Sequence, residues 1–136
     1  MAVFIDTGMW VAARNARDEF HSIAQKIIQK ALRGTFGRMY TSDYVFGETI
    51  ILAIVRTKQH AIARDIGDYI LECPNITFLF TPESIFRDAW RVHDQYRDKP
   101  LSFTDCTIIS WCHLLNIDHM ASFDVHFDGI LQRVAR

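Results

Sequence analysis

Hydrophobic positions change period several times along the chain, and each change marks an element. Ala2-Val3-Phe4-Ile5 is a continuous apolar run that stops at Asp6 and is followed by Thr7-Gly8. That pattern predicts a buried strand ending in a helix-capping residue. The next clear helical stripe covers residues 19–32 behind an Asp18 cap, with Phe20, Ile23, Ala24, Ile27, Ile28, Ala31 and Leu32 on one side and Gly34 and Gly37 closing it. Residues 38–41 form a second strand, after which Ser42-Asp43 opens a helix over 44–56. A further helix over 59–73 turns Ile62, Ile66, Tyr69 and Ile70 inward and breaks at Pro74-Asn75.

The strongest strand is Ile76-Thr77-Phe78-Leu79-Phe80, and Thr81-Pro82-Glu83 then supplies a cap, an N1 proline and a first-turn acid. The helix behind it is expected to bury Ile85, Phe86, Ala89, Trp90, His93 and Tyr96. Past Asp98-Lys99-Pro100 the pattern predicts a helix over 103–115, a short strand over 119–122, a helical turn near 126–132 and a C-terminal stub. Strands alternating with helices imply parallel pairing and right-handed crossovers, hence an α/β fold of the three-layer α/β/α sandwich kind. No linker or low-complexity segment interrupts residues 1–136, so one domain is expected.

Composition narrows the class. At 136 residues and 49% hydrophobic, the chain can build a core without disulfide staples. Its 15 Lys and Arg balance 16 Asp and Glu, so no bulk basic field advertises nucleic acid, although a metal ion can supply positive charge locally. The start of the chain lacks the basic region of a secretory signal, and the longest nearly apolar stretch, residues 44–55, is too short for a bilayer and contains Glu48. Cys73, Cys106 and Cys112 lack CxxC spacing, and the six histidines show no HxxxH or HExxH pair, which argues against a disulfide framework and a zinc site. A reducing cytoplasm is the expected compartment.

Most carboxylates sit on polar faces, but four do not fit that account. Glu48 has Tyr44, Val45, Ile51, Leu52 and Val55 at helical spacing, and an unpaired buried carboxylate needs a cation, a donor or a proton. Asp105 is flanked by Leu101, Ile108, Ile109 and Cys112, although Ser102-x-x-Asp105 also has the form of a capping box. Asp6 and Asp124 each follow a strand, where an acid is often a simple N-cap. Topology joins them, because ligand sites of parallel sheets lie at the carboxyl ends of the strands. All four acids fall on that edge. Oxygen ligands without Cys or His select a hard cation such as Mg²⁺ or Mn²⁺, and the chemistry that suits it is phosphodiester hydrolysis.

At this point the chain resembles the PIN domain family, and within it the small ribonuclease toxins of type II toxin–antitoxin pairs. The resemblance runs through Phe4-Ile5-Asp6-Thr7, Tyr40-Thr41-Ser42-Asp43-Tyr44-Val45-x-x-Glu48, Leu101-Ser102-Phe103-Thr104-Asp105-Cys106 and Ser122-Phe123-Asp124-x-x-Phe127. It implies that Asp6, Glu48, Asp105 and Asp124 are the acidic quartet of a Mg²⁺- or Mn²⁺-dependent endoribonuclease. It also implies a five-stranded parallel sheet, an RNA substrate, a homodimer, and inhibition by a small antitoxin whose tail enters the acidic groove.

Thr7, Ser42, Ser102 and Thr104 stand near the quartet as supports for the acids or a water, or as plain caps. Asp43 and Asp128 are further acids of open role. Arg14, Arg17, Arg38, Lys58 and Arg64 are candidate contacts to an RNA backbone, and Trp10, Trp90 and Trp111 candidate base-stacking groups. Rival readings are weaker. A haloacid-dehalogenase-like phosphotransferase needs an Asp where Gly8 stands, and neither Walker A nor GxGxxG occurs. A PIN nuclease that processes RNA without being a toxin, and a binding module that holds metal or peptide without turnover, stay open.

Overall fold

The computed structural model describes residues 1–136. Five strands form one parallel sheet in the order β3-β2-β1-β4-β5: β1 (Ala2–Ile5), β2 (Arg38–Ser42), β3 (Ile76–Leu79), β4 (His119–Ala121) and β5 (Gln132–Val134). β1 is central, pairing Phe4 with Tyr40 on one side and Ile5 with Ala121 on the other. Val3, Phe4 and Ile5 are fully buried, which is why this strand reads as an unbroken apolar run.

Two helices follow each of the first three strands: α1 (Thr7–Arg14) and α2 (His21–Leu32), α3 (Asp43–Thr57) and α4 (His60–Glu72), α5 (Glu83–Gln95) and α6 (Phe103–Leu115). The chain moves outward from β1 to β3 and then returns to β4 on the opposite side of β1. Right-handed crossovers therefore put α1 to α4 on one face and α5 with α6 on the other. The reversal creates a crevice between the ends of β1 and β4, where parallel sheets place their ligands.

Several local expectations are corrected. α1 is a separate helix whose extent the hydrophobic pattern conceals, because Met9, Trp10, Val11, Ala12 and Ala13 are all buried and no polar face marks its period. The predicted turn over 126–132 is instead a single 3-10 turn, Val125–Phe127, and the supposed stub carries β5, a three-residue edge strand. On α5 the buried positions are Ile85, Ala89 and Val92, whereas Phe86, Trp90 and His93 face outward. Phe86 and Trp90 gather instead around Phe103, with ring centroids 4.9 and 6.4 Å away. Phe20 and Ile23 are likewise on the rim of the core.

Candidate active site

Asp6 ends β1 and caps α1. Its Oδ1 accepts from the Thr7 backbone N–H at 2.7 Å, and its Oδ2 accepts from the Ser122 hydroxyl at 2.7 Å, across the β1/β4 crevice. Ser122 Oγ in turn accepts from the backbone N–H of Asp124 at 3.0 Å, so one buried serine links two of the four predicted acids. Asp124 turns the chain after β4, its Oδ1 accepting from the His126 N–H and lying 2.8 Å from His126 Nδ1.

The capping box anticipated at the start of α6 is present. Ser102 Oγ accepts from the Asp105 N–H at 3.1 Å, and Asp105 Oδ2 accepts from the Ser102 N–H at 2.9 Å. Capping occupies only one carboxylate oxygen, and Oδ1 makes no hydrogen bond to protein. Cap and ligand are therefore compatible roles for this residue. Glu48 lies on α3, and here the expected environment is corrected: Ile51 and Val55 on its side of the helix are largely exposed, so its ridge overlooks the crevice and does not enter the core.

Asp6, Glu48, Asp105 and Asp124 line one open cavity with Thr7, Gly8 and Ser102. Burial dominates its electrostatics. It pushes the Asp6 carboxyl up to about 7, against the hydrogen bonds from Ser122 and Thr7 and with help from the charges of Asp105 and Asp124. Burial and the neighbouring Asp105 also raise Glu48, while the Thr104 hydroxyl opposes them. Asp105 is raised by burial and by Asp124, although the Ser102 N–H works the other way. Like charges share a low-dielectric site and favour protonation.

The donor set fits a hard divalent ion. Every side-chain group in the cavity that can ligate is an oxygen, and Thr7 Oγ1 is buried with no hydrogen-bond partner, an orphan that a ligand or water would satisfy. No three His, Cys, Asp or Glu groups close into a ready-made cage. Mg²⁺ does not require one, since it is commonly held by one or two carboxylates and completes its octahedron with waters and phosphate oxygens. Cysteine chemistry has no place here, because burial pushes the Cys106 thiol up to about 11.

Other candidates separate clearly. Asp43 is tied to the connection before α5, accepting from the Thr81 hydroxyl at 2.6 Å and the Thr81 N–H at 3.1 Å. Asp128 pairs with Arg133 on the surface, and Ser42 caps α3 by accepting from the Val45 N–H. Arg14 forms a fork with Asp65, Arg64 pairs with Asp68 and Arg38 begins β2 at the far edge of the sheet, whereas Lys58 occupies the left-handed C-cap of α3. Trp10 and Trp111 are buried, their indole N–H groups directed at Thr41 and Thr81, and cannot stack bases. Trp90 is exposed on the aromatic patch of α5.

One residue of the cavity escaped sequence reasoning. Arg56 is its only basic lining group, and the signal was available: Glu48, Leu52 and Arg56 recur at four-residue spacing and share one side of α3.

The architecture is a parallel α/β domain whose switch-point crevice carries four carboxylates and no soft ligand. The chain belongs to the PIN domain family, whose model matches residues 3–131. It is 24% identical over 106 residues to a VapC ribonuclease of Archaeoglobus fulgidus, a match that covers 77% of this chain and 66% of that relative, just under two thirds of its length. The fold is similar to that of the sarcin–ricin loop cleaving toxin VapC20 of Mycobacterium tuberculosis, with a TM-score of 0.83 at 23% identity over 96% of this chain and 97% of that one. It is also similar to VapBC2 of Rickettsia felis, solved bound to a DNA fragment from their promoter, with a TM-score of 0.69 at 14% identity over 98% of each chain. FitAcB of Neisseria gonorrhoeae gives 0.60 at 12% identity, covering 98% of this chain and 96% of that one.

Proposed function

We propose that this protein, with residues 1–136 acting as one domain, is an endoribonuclease that hydrolyses RNA phosphodiester bonds, and that it is the toxin of a toxin–antitoxin pair. The observation that carries the reading is the convergence of Asp6, Glu48, Asp105 and Asp124 on one all-oxygen cavity at the β1/β4 crevice. These four residues are the catalytic and metal-holding set of the proposal, with Mg²⁺ or Mn²⁺ as the ion. A bound divalent ion would polarise the scissile phosphate and ease deprotonation of the attacking water. Asp105 offers its uncommitted Oδ1, while Ser122 and the Thr7 N–H hold the Asp6 carboxylate in place. Glu48, on the α3 ridge that overlooks the cavity, would accept a proton from the attacking water. Thr7 Oγ1, buried beside Asp6 without a protein partner, would be satisfied by a bound water.

The VapC and VapBC relatives support the toxin assignment and a small antitoxin as partner. Exposed apolar side chains, Phe86 and Trp90 on α5 and Ile51 and Val55 on α3, suit protein contacts such as a homodimer and an antitoxin. No helix is long and apolar enough to cross a membrane, and the three free cysteines suit the cytoplasm. Incubation with total RNA and Mn²⁺, followed by mapping of the cut ends, tests the activity. Discrete cuts that vanish with EDTA are expected, and cleavage that persists in excess EDTA overturns the metal mechanism.

A further inference from the structure

The acidic cavity does not end at the carboxylates. Gly8, Phe20, Arg56 and Phe123 line both it and an adjoining cavity of about 380 Å³, so the two form a continuous groove. Phe20 and Phe123 stack there with ring centroids 4.6 Å apart and planes 17° from parallel. Phe20 nevertheless stays 38% exposed, so an aromatic surface faces the groove that packing has not consumed. Arg56 stands at the junction. Its Nη1 lies 3.3 Å from Asp18 Oδ2, and the Asp18 side chain is only 8% exposed and also accepts from the Phe20 N–H through Oδ1. A single buried carboxylate thus fixes both the guanidinium and the backbone of the stacking residue. Arg17 adds a second guanidinium to the adjoining cavity, which Glu19 also lines.

We infer that Arg56 and the Phe20/Phe123 pair form a nucleotide-binding subsite for single-stranded RNA beside the carboxylates, and that Asp18 positions it. The inference rests on the nuclease reading and extends it to how the strand is held. A guanidinium is suited to phosphate oxygens, and an aromatic face accepts any base without reading sequence. Arg56 lies two helical turns after Glu48, about 12 Å along α3. It therefore addresses a flanking nucleotide and not the scissile phosphate. Arg56 and Arg17 are the two guanidinium groups lining the groove.

The test is equilibrium binding of a fluorescein-labelled single-stranded RNA decamer of mixed sequence, read by anisotropy with Ca²⁺ filling the acidic cavity, alongside Mn²⁺-dependent cleavage of the same RNA. Arg56→Gln is expected to weaken binding about tenfold and to flatten the slope of log Kd against log salt by about 0.7, the loss of one phosphate contact on a single strand. Phe20→Leu keeps an apolar side chain on the rim, and is expected to weaken binding at least about fivefold without changing that slope. Asp18→Asn can still accept from the Phe20 N–H and keeps Arg56 charged, so it is expected to weaken binding less than Arg56→Gln does and to leave the slope in place. Arg87→Gln, on α5 outside the groove, serves as the control. Cooperative thermal melts of each variant exclude unfolding as the cause. If wild type binds and Arg56→Gln binds equally with the same slope, the subsite is wrong while the nuclease reading stands, and Arg56 is left to an acidic side chain of a partner protein. Arg56-dependent binding without cleavage supports the subsite and overturns the nuclease reading. No binding by wild type overturns both.

Discussion

Ser122 Oγ donates to Asp6 Oδ2 at 2.7 Å, and this bond joins the ends of two strands that are neighbours in the sheet but 116 residues apart in sequence. Both residues are buried, and the serine is the donor that helps Asp6 remain a usable carboxylate despite its burial. Ser122→Ala is expected to lower stability by about 1–3 kcal/mol, since it leaves a buried acceptor short of a partner. It should also weaken the stabilisation that Mn²⁺ gives. Urea melts with EDTA and with Mn²⁺ measure both effects, and an unchanged midpoint would mean that the bond contributes nothing.

Asp105 allows cap and ligand to be separated by two substitutions. Asp105→Asn keeps an oxygen for the Ser102 N–H and removes a charge from the cluster, so the metal-free protein should be as stable as wild type or more so near neutral pH, and RNA cleavage should be abolished. Asp105→Ala additionally loses the cap, at a cost of about 1 kcal/mol. Asp94→Asn, altering an exposed acid 3.8 Å from Arg97, should change neither property. Equal loss of cleavage in Asp94→Asn and Asp105→Asn would show that the wrong acids have been chosen.

The carboxyl of Asp6, near 7 in the fold, makes stability depend on pH with a definite sign. Its unfolded pKa is about 3.9, so between these values the native state keeps a proton that the unfolded chain has lost. Metal-free stability therefore falls as pH rises from about 4 to about 7, by up to a few kcal/mol, and levels off above. A divalent ion that binds only the folded cluster should recover the loss at neutral pH by mass action. Denaturant midpoints in EDTA across this range, repeated with Mg²⁺, provide the check, and a midpoint that rises through the window contradicts the assignment.

Asp43 ties the start of α3 to the connection before α5 through its two bonds from Thr81. Asp43→Ala removes both bonds to Thr81 and the acid at the start of α3, and is expected to cost about 1–3 kcal/mol while Mn²⁺-dependent cleavage survives at permissive temperature. Loss of cleavage in a variant that remains folded would move Asp43 into the site.

The residues that were legible in the sequence are those whose environment contradicts their chemistry. Asp6, Asp105 and Asp124 stood at element ends that topology brings to one edge, and the structure gathers them in one cavity. Glu48 is conspicuous among apolar residues, yet Ile51 and Val55 turn outward, so its stripe is a rim of the groove and not a core face. α1 was obscured because burial on nearly every side erases helical periodicity, and β5 because three residues on an edge carry too little alternation to register. On α5, the size of Phe86 and Trp90 outweighed the spacing of Ile85, Ala89 and Val92, which alone describes the buried stripe. Arg56 passed unnoticed because its role depends on Asp18 and Phe20, which belong to another segment.

The central position of β1 has a consequence for synthesis on the ribosome. The first strand to emerge can pair with β2 once residue 42 is available, but its other edge stays open until residues 119–121 have been made. Asp6 meets Ser122 and Asp124 only after these residues follow β4, so the carboxylate cavity closes late relative to the β1–β2 pairing. Such long-range closure is slow relative to local helix formation. A nascent chain that has reached only residue 121 therefore carries Asp6, Glu48 and Asp105 without the fourth acid, and the groove stays open on its β4 side until Asp124 follows.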